Sequence, residues 1–287
     1  MHKEELKQLS EYYLRHILDD VMPFWDARCV DEECGGFFTC FDRQGKLTDD
    51  NKYIWFQGRQ TYTYALLYNH IEKRRDWLDK ARHGFRFLAD KAYAGGGRWN
   101  YKLDRQGHVL VGTTSVFADM HVLQALGEYN TALGGQDAEA MAIMRATYDT
   151  LERNFADRYF KDIYENTWQE NHIWHDMYMT ALSAIMTCIP VLGEEYTRPF
   201  IDECLDKICN WFARDDYRGP YLRPCRGITS SSWRSRRTDS QTPAIPRRRY
   251  GSFWSMRAAA AGRTCCTVRW NLRIGCMNEG MTRCTAA

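Results

Sequence analysis

The sequence predicts an all-α protein of stacked helical hairpins, with short β-hairpins in its loops. Three observations carry this. Amphipathic stripes at helical spacing recur along the first 225 residues, segments apolar on every side lie between them, and the one-faced segments begin near residues 3, 76, 136 and 196. The later interval, about 60 residues, is the length of a helical hairpin, and such a repeat builds a closed ring or a solenoid. An ordinary helical array without a pocket fits the same pattern.

In chain order, Leu6, Leu9, Tyr13 and Ile17 form the first stripe, in a helix over about residues 3–22 that should stop near Pro23. Gly35–Phe41 (GGFFTCF) reads as a short strand with a glycine bend. Residues 52–72 form an all-round apolar and aromatic helix. The stripe Leu78, Ala81, Phe85, Leu88 and Ala92 follows, and then a β-hairpin of Arg98–Leu103 and Gly107–Val111. Residues 114–133 are again apolar all round, and Ala138, Met141, Met144, Tyr148, Leu151 and Phe155 make the next stripe. A third all-round helix spans 174–192, and Ile201, Leu205, Ile208 and Phe212 close the series. Seven helices fit in this stretch. The all-round helices should form an inner wall and the striped ones an outer wall, with the loops shaping a pocket at one face.

Composition narrows the class. The 287 residues are 26% charged and 44% hydrophobic, enough for a sizeable core and unlike a disordered chain. No apolar run approaches a transmembrane length, and the start (Met1-His2-Lys3-Glu4-Glu5) does not read as a secretory signal. Eleven cysteines without metal-type pairs read as reduced thiols, which suggests a cytoplasmic protein. The formal net charge of +2 hides a division. Residues 226–287 hold twelve arginines, no lysine and two acids, a net of +10, whereas residues 1–225 hold 27 basic residues against 35 acids, a net of −8. A basic nucleic-acid-binding arm is one reading of that tail, although such arms usually mix Lys with Arg and avoid Cys and Trp.

The inner helices carry the chemistry. Tyr53, Trp55, Phe56, Gln57, Arg59, Tyr62 and Tyr64 place aromatic rings and a permanent cation on the first one. Arg59 is thereby expected in the interior, where it needs an acid, with Asp119 or Glu128 on the next inner helix the candidates, or else an anionic or polyhydroxylated ligand. Aromatic plates with a few polar groups suit a sugar ring, which has apolar faces and polar edges. Asp119 and His121 lie on the second inner helix but not on one face. His172 and His175, with Asp176 beside them, begin the third, where an acid/base pair could form. No third ligand follows at zinc-type spacing, so no metal site is expected.

Gly35–Asn69 (GGFFTCFDRQGKLTDDNKYIWFQGRQTYTYALLYN) and Ser115–Gly134 (SVFADMHVLQALGEYNTALG) resemble the N-acylglucosamine 2-epimerase family, which includes cellobiose 2-epimerases and sugar aldose–ketose isomerases. The order GGFF, W-x-Q-G-R-Q, SxFAD carries the resemblance, over about residues 1–225. It implies an (α/α)6 barrel, incomplete in this chain, and interconversion of sugars epimeric at C2, or of an aldose with a ketose. The wording leans toward the N-acyl-D-glucosamine/N-acyl-D-mannosamine pair. It implies that Arg59 contacts substrate and that Trp55 and Asp119 line the same pocket; Tyr62 joins them from the aromatic inner helix, and His175 and His172 are the proton-transfer candidates from the reading of the third. It implies no required cofactor, a nucleotide effector in some relatives, and a small-molecule sugar as partner. Homodimers are common in such barrels, and neither membrane nor nucleic acid is an expected partner.

The reaction removes a proton beside a carbonyl and returns it through an enediolate. It needs two groups titrating near neutrality on opposite sides of C2 and a donor to the oxyanion. Family members use two histidines, one in an NPGH motif opening a later inner helix and one near the C-terminus. Neither motif stands in this sequence. Back-translation of Thr238–Arg257 (TDSQTPAIPRRRYGSFWSMR), read in a shifted frame, nevertheless permits RFANPGHTAEAVWFLLEHA, with the histidine codon straddling Ala244 and Ile245. The same shift over Cys276–Arg283 permits HERGYDK. The expectation is a partial barrel over 1–225 and an out-of-frame tail over 226–287. The ring is then unclosed, poorly soluble and inactive as an epimerase. Two other functions compete. An (α/α)6 glycoside hydrolase would need a pair of pocket carboxylates, for which Asp119 and Asp176 are the candidates. A sugar- or nucleotide-binding module would use the aromatic pocket without turnover.

Overall fold

A computed structural model describes residues 3–156, 172–173, 175–212 and 223–224, all within a unit spanning Met1–Ser235. The expected boundary at 225/226 and the tail beyond it lie outside the described residues.

Three helical hairpins follow one another. The inner helices are α3 (Ile54–His70), α5 (Val116–Ala132) and α7 (His175–Leu192). Each is followed by an outer helix: α4 (Arg75–Phe87), α6 (Ala138–Ala156) and α8 (Glu194–Asp206). Each inner helix packs on its own outer helix, and α5 lies between α3 and α7. This is the inner and outer wall expected from the sequence, because a helix without a polar face loses least where most of its sides are covered.

Glycines set the inner spacing. A Cβ on Gly58 would lie 2.8 Å from the His121 carbonyl oxygen, and one on Gly127 would lie 2.7 Å from that of Thr187. Only a residue without a side chain lets α3 and α7 approach α5 this closely. Between the walls lies one continuous core, with Tyr64, Trp77, Phe85, Trp99, Tyr129 and Tyr148 buried in it.

The loops form small antiparallel sheets. β1 (Cys40–Phe41) pairs with β2 (Leu47–Asp49), and β4 (Tyr93–Gly95) with β5 (Arg98–Trp99). The expected hairpin is β6 (Lys102–Leu103) with β7 (Val109–Val111), and β3 (Lys52–Tyr53) joins its other edge. A buried charge cluster ties these loops together. Lys52 Nζ lies 2.9 Å from Asp31 Oδ2, and the Arg105 guanidinium donates to both Asp31 oxygens. Burial opposes ionisation of Asp31, but Arg105 and Lys52 hold its carboxyl well below the usual carboxylate range.

The N-terminus departs from expectation. α1 (Lys3–Arg15) does not stop at Pro23; it runs through a π-helical turn, His16–Val21, into α2 (Met22–Asp26). Pro23 sits in the first turn of α2, where its missing N–H is not needed. The stripe Leu6, Leu9, Tyr13 and Ile17 is exposed rather than packed, with Tyr13 59% accessible, because no described element covers it. No helix among the described residues is long and apolar enough to cross a membrane.

Candidate functional site

The site begins with the WFQGRQ segment at the start of α3. Each residue there has a separate task. Gln57 is a buried anchor: its Oε1 accepts from Phe37 N–H at 2.8 Å, and its Nε2 donates to Phe37 O at 2.8 Å. The GGFF loop is thereby fixed to the helix. Gly36 must be glycine there, since its φ is +70° and a Cβ would meet Gln57 Oε1 at 2.7 Å. Gly58 seats the helix on the His121 backbone.

Trp55 and Arg59, four residues apart, share the α3 face turned away from α4. Trp55 is half-buried and meets the His121 ring edge to face, with centroids 5.8 Å apart. Arg59 is exposed and has no acidic partner among the described residues. This corrects the expectation that it is buried and needs a counter-ion. The acids considered for it are engaged elsewhere: Asp119 with Arg98, and Glu128 with Asn69 and His70. Among the described residues α3 packs on α4 and α5, and Arg59 stands exposed on its side away from α4.

His121 faces Arg59 from α5. Burial first, and the Arg59 charge second, lower its pKa to about 4, against an opposing interaction with Gln124, so the ring is neutral at physiological pH. Its Nδ1 is buried without a hydrogen-bond partner. Three residues on, Gln124 Nε2 donates to Ser183 Oγ of α7 at 3.1 Å. Tyr62 is half-buried, with its hydroxyl pKa raised by burial and by Glu128.

Asp119 does not line this face. It is two residues, about 200°, from His121, and it points to the loops. Its Oδ1 accepts from Trp99 N–H at 3.0 Å, and its Oδ2 accepts from Arg98 Nε at 2.7 Å. Burial raises its pKa to about 7, against the pull of Arg98. It fastens β5 to α5, and its expected place in the pocket is corrected accordingly. The carboxylate pair considered for a hydrolase loses this member.

Of the two expected proton-transfer histidines only the His175 side chain is described, and no contact joins it to Arg59 among the described residues. The His175 ring packs edge to face on Phe212, with centroids 5.5 Å apart. His172 lies in the two-residue strand β8 (His172–Ile173), paired with β9 (Arg223–Pro224), and its side chain is outside the described residues. Among the described residues no group of three or more His, Cys, Asp or Glu side chains could hold a metal.

The site therefore combines Trp55 and Arg59 with His121, Gln124 and Ser183. Of the last three, His121 is considered in the sequence reading without a place in the site, and Gln124 and Ser183 are not. A signal was present: Phe117, His121, Gln124 and Glu128 are spaced 4, 3 and 4 along a largely apolar helix.

Comparison with known proteins bears on the whole arrangement. The family model for N-acylglucosamine 2-epimerase (GlcNAc 2-epimerase) matches residues 36–218. N-acylglucosamine 2-epimerase of Mus musculus is 37% identical over 133 residues, which cover 45% of this chain and 32% of that protein. Cellobiose 2-epimerase of Eubacterium cellulosolvens is 26% identical over 159 residues, covering 52% of this chain and 36% of the relative. The match thus spans about a third of the length of these relatives. Among solved structures, cellobiose 2-epimerase from Bacillus thermoamylovorans superposes with a TM-score of 0.66 at 17% identity, covering 75% of this chain and 59% of that one, and shows the α/α-barrel fold. With its GGFF loop, its WFQGRQ helix and a model match over most of its length, the chain belongs to the N-acylglucosamine 2-epimerase family.

Proposed function

We propose that this chain forms the arginine-bearing wall of a sugar 2-epimerase or isomerase, acting on N-acyl-D-glucosamine and N-acyl-D-mannosamine. The observation that carries the reading is Arg59, an exposed cation with no acidic partner among the described residues, one helical turn from Trp55 on the same side of α3, in a chain of this family. Trp55 offers a plate for the apolar face of the sugar. Arg59 donates to the oxygen that becomes negative when the C2 proton leaves, a charge it stabilises without losing a proton itself. Proton transfer at a carbon already acidified by a carbonyl needs no cofactor. His175 and His172 remain the acid/base candidates within this chain. A cytoplasmic setting, a homodimer and a nucleotide effector belong to the same reading.

The 287-residue polypeptide does not complete the reaction in this proposal. Two observations support an out-of-frame tail: the family match ends at residue 218, and the composition turns arginine-rich from residue 226. The NPGH histidine is then encoded but not translated. Nucleotide sequencing across codons 220–287 tests the frame. Proton NMR in deuterated water tests the chemistry. The polypeptide as it stands should place no deuterium at C2 of N-acetylmannosamine, and its frame-restored counterpart should. Exchange by the unaltered chain overturns the inactivity, and none by the restored protein overturns the epimerase reading.

A further inference from the structure

The face that bears Arg59 continues beyond it. Gln124 lies three residues, about 4.5 Å of helix rise, beyond His121. Its amide reaches across to α7 and donates to Ser183 Oγ at 3.1 Å, while its side chain also engages the His121 ring. Ser183 is exposed, and its own proton has no partner among the described residues. Four residues earlier on the same row of α7, Met179 is 52% exposed. A fixed amide, a free hydroxyl and an adaptable thioether thus stand side by side, with no charge among them.

We propose that Gln124, Ser183 and Met179 form a subsite for the N-acyl group of the sugar. The acyl amide is hydrogen-bonded by Gln124 and Ser183, and its methyl rests on Met179. This inference rests on the sugar reading and sharpens it. The trio is neutral, so a phosphate or carboxylate placed there would lose hydration without gaining a counter-charge. A free hydroxyl in place of the acylamino group leaves Met179 uncovered and the Ser183 proton without its acceptor. Methionine suits the methyl because its unbranched chain adapts to small apolar groups.

Titration of the 287-residue chain with N-acetylmannosamine and with mannose, followed by tryptophan fluorescence and by saturation transfer to the acetyl methyl, tests the subsite. The unaltered chain should bind the acetylated sugar more tightly, with the methyl strongly saturated. Ser183→Ala, at an exposed position and with an unchanged melting temperature, should weaken N-acetylmannosamine by about five- to tenfold and leave mannose alone. Ser183→Thr should restore much of the loss. If the unaltered chain binds both sugars and Ser183→Ala changes neither affinity, the subsite is wrong and the sugar reading stands. If the unaltered chain binds neither sugar, the sugar reading itself falls, and the subsite with it.

Discussion

The residue that most changes the picture of the site is His121. A histidine on a largely apolar inner helix can be a satisfied core group, but one of its nitrogens is buried without a partner among the described residues and a guanidinium acts on it from the neighbouring helix. Both burial and charge favour the neutral ring. The pH consequence follows from the direction of the shift. The pKa falls from 6.5 in the unfolded chain to about 4 in the folded one, so the unfolded state binds more protons between those values. Stability is complete above pH 6.5 and declines as the pH drops toward 4, by at most about 3 kcal/mol and less where solvent screens the ring. Asp119, raised to about 7, contributes the opposite slope over the same range, so the difference is the test: in thermal melts from pH 7.5 to 4.5 the unaltered chain should lose stability relative to His121→Phe as the pH falls. An equal slope in the variant would assign the acid lability to another group, and not to the Asp31 cluster, whose depressed carboxyl loses its contribution only below its ordinary pKa of 3.8. Arg59 shows where sequence reading ends at this scale. Its charge and its neighbours Trp55 and Gly58 could be read directly, but its exposure could not, because the solvent access of one face depends on which other helices surround it. Asp119 was illegible for a related reason: its partner Arg98 lies 21 residues earlier in a loop, and no periodicity announces that contact.

At the scale of elements, the alternation of striped and all-round helices was legible because burial leaves a periodic record. Where one side of a helix meets solvent, the sequence shows a stripe; where none does, the stripe vanishes. Fine placement was less legible. On α8 the fully buried positions are Thr197, Phe200 and Cys204, with Ile201 and Leu205 half-buried beside them. The Tyr148 hydroxyl of α6 donates to the Thr197 carbonyl, and Phe200 packs edge to face on Tyr148 and Phe155 of the same helix. The close approach of inner helices yields a sharper prediction. Gly58→Val would push a branched side chain into the His121 carbonyl, which is backbone and cannot swing aside. Separation of α3 from α5 should cost about 1–3 kcal/mol and lower the melting temperature. It should also disturb the Trp55–His121 contact, readable as a change in tryptophan emission. A Gly58→Val protein with unaltered melting and emission would show that the two helices have slack at this point.

The whole molecule is shaped by two features that the near-zero net charge conceals. The outer stripe of α1 is uncovered, and the chain divides into a −8 portion and a +10 portion at residue 226. Either feature promotes self-association, but by different physics. Exposed leucine and tyrosine faces associate more strongly as salt rises, because apolar contacts are not screened and excluded salts favour burial. Opposite charges on separate molecules attract most at low salt, within a screening length of about 10 Å at 0.1 M. Truncation after Cys225 separates the two. It removes twelve arginines and leaves a chain of net −8, whose self-repulsion should keep it dispersed. The family match and the Trp55–Arg59 face both lie within the retained residues, so the main melting transition should persist. Light scattering of the full and shortened chains across 20–500 mM salt is the measurement. If charge division dominates, the full chain scatters most at low salt and the shortened one stays dispersed throughout. If both scatter alike and more strongly at high salt, the α1 stripe is responsible, and Leu9→Glu with Tyr13→Glu should then disperse them where truncation does not.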